Sequence, residues 1–119
     1  MRSFLMFFRL LDLCYEQYPE DDLGGFLGSI SPELWDDGKP ADIAVYHDWK
    51  RMAAGSTLTD THIIGVTHAF LENYEQKFGF DFSHTKHTLL QISTEQMLAK
   101  ARAFADKMNE TYHYPDYLS

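Results

Sequence analysis

Asp81-x-x-His84-x-x-His87 places three ligand-type side chains one helical turn apart, with His62 and His68 as further donors upstream. Metal chemistry would need at least three such groups to converge, each oriented by a second hydrogen bond. No HExxH pair and no cysteine pair strengthens that reading, so ordinary surface or capping histidines are the expectation. A small helical metal- or ligand-binding protein built on the histidine cluster is the alternative. The single cysteine, Cys14, would need a lowered pKa to act as a nucleophile, yet it lies toward the C-terminal end of an apolar helical stretch among acids. Ser29, Ser31 and Ser93 have no nucleophile-elbow context, and Gly24-Gly25-x-x-Gly28 lacks the lysine of a phosphate loop. The sequence therefore predicts neither an enzyme nor a cofactor.

Carboxylates are the remaining chemical resource. Glu20-Asp21-Asp22 and Asp36-Asp37-Gly38 lack the alternating ligand spacing of a calcium loop and read individually as a helix cap and a turn. Their number is harder to explain. Residues 12–48 hold ten acids and one base, Lys39, for a charge of −9, whereas residues 1–11 contribute +2 and residues 49–119 contribute −1. The net charge of −8 is thus local, and a local field of one sign favours a partner of the other sign. Such a field also disfavours direct nucleic-acid binding.

The elements that carry these groups read as helices. At 119 residues, 45% apolar and with nine Phe, seven Tyr and two Trp, the chain can bury one core, so a single domain over residues 1–119 is expected. One cysteine permits no intrachain disulfide, and the apolar N-terminal run is interrupted by Arg9 and Asp12 too early for a signal peptide or a membrane span. The expectation is a cytoplasmic protein without membrane contact. Phe4, Phe8, Leu11, Tyr15 and Tyr18 recur at helical spacing opposite Arg9, Asp12 and Glu16, and Pro19 ends that helix. A short helix follows through about Ile30, its glycines tolerable where another backbone approaches closely. Residues 31–39 read as a loop anchored by Trp35, and Pro40-Ala41-Asp42 starts a helix through about Ala54, with Val45, Trp49 and Met52 on one side.

Thr59 or Asp60 can cap a long helix through about Lys77, with Ile63, Thr67, Phe70, Tyr74 and Phe78 in period and Gly79 as its stop. Residues 83–92 form a brief helix, and Ser93-x-x-Gln96 is a capping box for a last helix to about Glu110. The only weak strand candidate is 55–59. The architecture predicted is an all-α, single-domain bundle of about three long and two or three short helices. Leu11-x3-Tyr15-Glu16-Gln17 echoes Phe70-x3-Tyr74-Glu75-Gln76, which raises two pseudo-repeated helical hairpins as a further expectation.

The run Asp21-Asp22-Leu23-Gly24-Gly25-Phe26-Leu27-Gly28-Ser29, followed by Asp37-Gly38-Lys39-Pro40-Ala41-Asp42 and Asp48-Trp49, resembles a pattern in small bacterial proteins, some of them similar to immunity proteins of secreted-toxin and contact-dependent inhibition systems. The likeness covers about the first half of the chain. It implies a cytoplasmic inhibitor that binds a cognate toxin. The physical reading agrees: a partner with a basic surface would be met by the field of Glu20, Asp21, Asp22, Glu33, Asp36, Asp37, Asp42 and Asp48, with Trp35 and Tyr46 as anchors near its centre. A homodimeric scaffold joined through the glycine-rich helix is the remaining alternative.

Overall fold

Between Phe4 and Cys14 only Arg9 and Asp12 are charged, a pattern too apolar for a helix with a broad wet face. The computed structural model, which describes residues 1–17, 21–32, 42–54, 62–91, 94–112 and 114, makes this segment the central element. Six helices follow in order: α1 (Arg2–Gln17), α2 (Leu23–Ile30), α3 (Ile43–Ala54), α4 (Ile63–Phe78), α5 (Ser83–Gln91) and α6 (Thr94–Thr111). Among the described residues there is no strand, and no helix is long and apolar enough to cross a membrane. The chain is a single all-α domain.

Helix α1 is two-sided as expected, with a buried side broader than its apolar row alone. Phe4, Leu5, Met6, Phe7, Phe8, Leu10, Leu11, Leu13 and Cys14 are all buried, and α1 packs against each of the other five helices. Solvent reaches it along a narrow strip, where Arg9 Nη1 donates to Asp12 Oδ2 at 2.5 Å and to Glu16 Oε1 at 3.2 Å. Tyr15, expected in the apolar row, is 37% exposed. The broadest contact of α1 is with α6, whose Ala101 and Ala105 are fully buried one turn apart and permit close helix approach. Phe104 of α6 meets Phe8 with ring centres 5.7 Å apart.

A continuous aromatic chain runs through the core from α3 to the C-terminal end of α4. Tyr46 meets Phe4 at 5.3 Å, and Phe7 stacks on Trp49 at 4.3 Å and meets Phe70 edge-on at 4.9 Å. Phe70 in turn stacks on Tyr74 at 4.4 Å. Such pairs add about 0.5–1.5 kcal/mol each beyond the area they bury.

The two long-then-short helix pairs, α1–α2 and α4–α5, meet at their links. Asp22 N–H donates to the Asp81 carbonyl at 3.1 Å, and Asp81 N–H donates to Asp22 Oδ2 at 2.7 Å. These residues are 59 positions apart, the same offset as the sequence echo. Asp21 Oδ1 accepts from Leu23 N–H, and Asp81 Oδ1 accepts from Ser83 N–H, each at 3.0 Å, so both helices begin from an Asp two residues upstream. Gly79 ends α4 as expected, at φ 74° with its N–H on the Glu75 carbonyl. Helix α4 begins at Ile63, with His62 at its cap and no side-chain cap bond. Tyr18, Pro19, Gly55 to Asp60 and Ser93 of the expected stops, caps and strand candidate lie outside the described residues.

Gly24 answers the question of close approach. A Cβ there would stand 3.0 Å from the Tyr15 ring, so what approaches is an α1 side chain, not a backbone. Among the described residues, Thr67 Oγ1 is buried without a hydrogen-bond partner. Thr67→Val keeps the shape and removes the unpaired hydroxyl, so it is expected to raise stability by about 1 kcal/mol. Denaturant unfolding of the variant beside the parent checks this, and a loss of stability would show that the hydroxyl has a partner.

Candidate functional site

The residues expected to supply an acidic surface divide once the fold is known. Glu20, Glu33, Trp35, Asp36 and Asp37 lie outside the described residues. Tyr46 is corrected: it is 2% exposed, packed edge-on against Phe4, and cannot serve as a surface anchor. Its spacing with Trp49 and Ala53, both buried, places it on the inward stripe of α3, and that periodicity was available in the sequence.

Asp21 is half-buried and committed to the fold. Besides Leu23 N–H it accepts Thr85 N–H at 2.9 Å and the Thr85 hydroxyl at 2.8 Å, so one carboxylate caps both α2 and α5. Asp22 is exposed, yet its Oδ2 is held by Asp81 N–H. Neither carboxylate is placed primarily for a partner.

Asp42 and Asp48 are brought together. Asp42 N–H donates to the Ser29 carbonyl at 2.7 Å, which ties the start of α3 to the end of α2. Asp42 Oδ1 accepts Ala44 N–H at 3.0 Å, the bond of a helix N-cap. One and a half turns on, Asp48 Oδ2 accepts the Tyr74 hydroxyl at 2.6 Å, and its Oδ1 is paired with Arg51.

Both carboxylates line a cleft of about 360 Å³ between α2, α3 and the C-terminal end of α4. Its aromatic wall is formed by Phe26 of α2, Tyr74 and Phe78 of α4, and Phe80 of the link that follows. Tyr74 lies 4.9 Å from Phe78 and 6.4 Å from Phe80, and Phe26 lies 5.6 Å from Tyr74. Burial, then the hydrogen bond to Asp48 and the charges of Asp48 and Asp42, push the Tyr74 phenol well above its ordinary range, with Arg51 opposing. Tyr74 therefore remains protonated and donates its hydroxyl to Asp48.

The cleft contains residues that sequence reasoning assigned elsewhere. Phe78, in period with the buried row of α4, is 60% exposed at the last residue of the helix before Gly79. The available signal was the pair of phenylalanines flanking a helix-ending glycine.

Of the other chemical candidates, Cys14 and Asp81 serve the fold. Burial, then the charge of Asp21, push the Cys14 thiol up to about 12, which leaves it an inert core group. His62, His84 and His87 are exposed, and His68 faces Glu72 at 3.7 Å. Asp81 is held by the hydroxyl and N–H of Ser83, which lower its pKa. Among the described residues no three His, Cys, Asp or Glu side chains come together to hold a metal ion. Comparison with family models, with curated proteins and with solved structures finds no match to this chain.

Proposed function

We propose that this domain is a non-enzymatic binding protein that occludes a basic protein surface, and that it acts as a cytoplasmic immunity protein against a toxin domain. The observation that carries this reading is charge. Eighteen acids face ten Lys and Arg, so at least eight carboxylates have no Lys or Arg of their own, whatever pairs form. Two of the cations that pair are shared, Arg9 between Asp12 and Glu16 and Lys86 between Glu72 and Glu75. Surplus charge of one sign weakens the folded state by self-repulsion and is relieved when a cationic surface binds. The run at 21–29 and the residues after it resemble a pattern in small bacterial proteins, some of them similar to immunity proteins, which is in keeping with this reading. Asp21 and Asp22 add their charge to this field while holding the links, and Asp42, Asp48 and the sequence positions Glu20, Glu33, Asp36 and Asp37 supply the rest.

The test begins with recovery of the untagged chain from its own host and identification of what binds it. Affinity for the purified partner is then measured across about 50 to 500 mM salt, a range over which the Debye length shrinks severalfold. The expected result is a basic partner whose affinity falls steadily with salt and drops at least about tenfold when Glu33, Asp36 and Asp37 are together changed to Lys. A salt-independent affinity, or a partner without a basic surface, would overturn the reading.

A further inference from the structure

We propose that the cleft between α2, α3 and the end of α4 is a receptor for one arginine side chain of the basic partner; this rests on the binding reading above and names the site where it is concentrated. Three features meet there. The cleft, at about 360 Å³, lies near the lower end of the roughly 300–1,000 Å³ common for ligand sites, more than enough for one extended side chain. Its wall offers the rings of Tyr74, Phe78 and Phe80, and Phe78 is exposed although a phenylalanine gains by burial. Its lining includes two carboxylates, of which Asp42 uses Oδ1 as a helix cap and has no bond to Oδ2 among the described residues.

Aromatic faces with carboxylates beside them suit a cation that also has apolar or planar surface. Arginine provides both: its methylenes cover the rings, its guanidinium lies on a ring face, and its fork of donors reaches a carboxylate. A phosphate or carboxylate ligand would be repelled by Asp42 and Asp48. The chain's own Arg51 occupies Asp48 Oδ1 from the outer side, with its side chain 76% exposed, and so acts as a weak competitor.

The probe is acetyl-Gly-Arg-Gly-amide, with the citrulline peptide as its neutral isostere, titrated into the full chain and followed by amide chemical shifts. Saturable shifts at Ser29, Ala44 and Phe80 are expected with arginine and none with citrulline. Asp42→Asn keeps the Ala44 cap and removes the charge, and it should weaken binding at least about fivefold. Phe78→Ala, at an exposed site, should weaken it similarly, by about three- to tenfold. Arg51→Ala removes the competitor and should tighten binding about two- to threefold. Equal shifts with both peptides, shifts spread over the whole acidic surface, or no response to Phe78→Ala would overturn the proposal.

Failure here is distinguishable from failure of the broader reading. A chain that binds its partner with steep salt dependence but leaves the cleft unshifted loses the arginine site and keeps the function. A chain whose cleft takes the arginine peptide while its partner binds independently of salt does the reverse.

Discussion

Phe7→Ala is expected to cost about 3–5 kcal/mol, the range for removing a fully buried phenylalanine, and so to consume a third or more of the stability of an ordinary domain. Phe7 is wholly buried and touches three rings from three elements: Phe4 of α1 at 5.7 Å, Trp49 of α3 at 4.3 Å and Phe70 of α4 at 4.9 Å. Its loss leaves a void that α1 cannot close alone, because the same helix is fixed on its other sides by α2, α5 and α6. Phe7→Leu restores most of the volume and should cost about 1–2 kcal/mol, which separates cavity formation from a general intolerance of change. Urea unfolding followed by circular dichroism reads both. A cost below about 1 kcal/mol for the alanine variant would mean that α1 is not the centre of the core. Damage should also travel outward, since Phe70 links Phe7 to Tyr74 and hence to the cleft.

The helices were legible in the sequence because their periods and stops are local properties. Gly79 needs only its own positive φ to end α4, and Met97, Ala101, Phe104 and Met108 need only steps of three and four to share a face. What sequence could not show was which face meets what. The row of α1 looked one-sided because Arg9, Asp12 and Glu16 fall together, but a helix whose neighbours surround it buries apolar residues in every other direction. Tyr46 was mistaken for a surface residue because a single acidic segment surrounds it in sequence, although its register with Trp49 and Ala53 turns it inward.

The candidate site was less legible for a related reason. Asp42 and Asp48 lay within the expected acidic field, but their partner in the cleft, Tyr74, comes from a helix 26 residues beyond Asp48. Phe78 and Phe80 are ordinary core residues by composition, and Phe78 is open to solvent at the end of α4. Asp21 and Asp22 had been read as cap and field together, and the structure separates those roles through hydrogen bonds to residues about sixty positions away.

Asp21→Ala follows from that separation and should lower stability by about 3–5 kcal/mol, a fall in Tm on the order of 10 °C or more for a domain of this size. The hydrogen-bond partners of Asp21 have no other acceptor among the described contacts. Leu23 N–H at the start of α2 and Thr85 N–H in the first turn of α5 each lose an acceptor, about 1 kcal/mol apiece for a missing cap. The Thr85 hydroxyl is left unpaired in a residue only 2% exposed, at a further cost of about 1–3 kcal/mol. Thr85→Val removes that orphan, so the double variant Asp21→Ala/Thr85→Val should be more stable than the sum of the two single changes implies, by about 1 kcal/mol. Asp21→Asn retains one acceptor oxygen and should fall between Ala and the parent. If Asp21 served mainly as surface charge, Asn and Ala would instead behave alike, with Tm unchanged and only partner association slowed. The stability measurements therefore decide whether this carboxylate belongs to the fold or to the field, and they bear on the cleft as well. The links that Asp21 and Asp22 join are continuous with Phe80, so loss of Asp21 should loosen the aromatic wall without touching any residue that lines it.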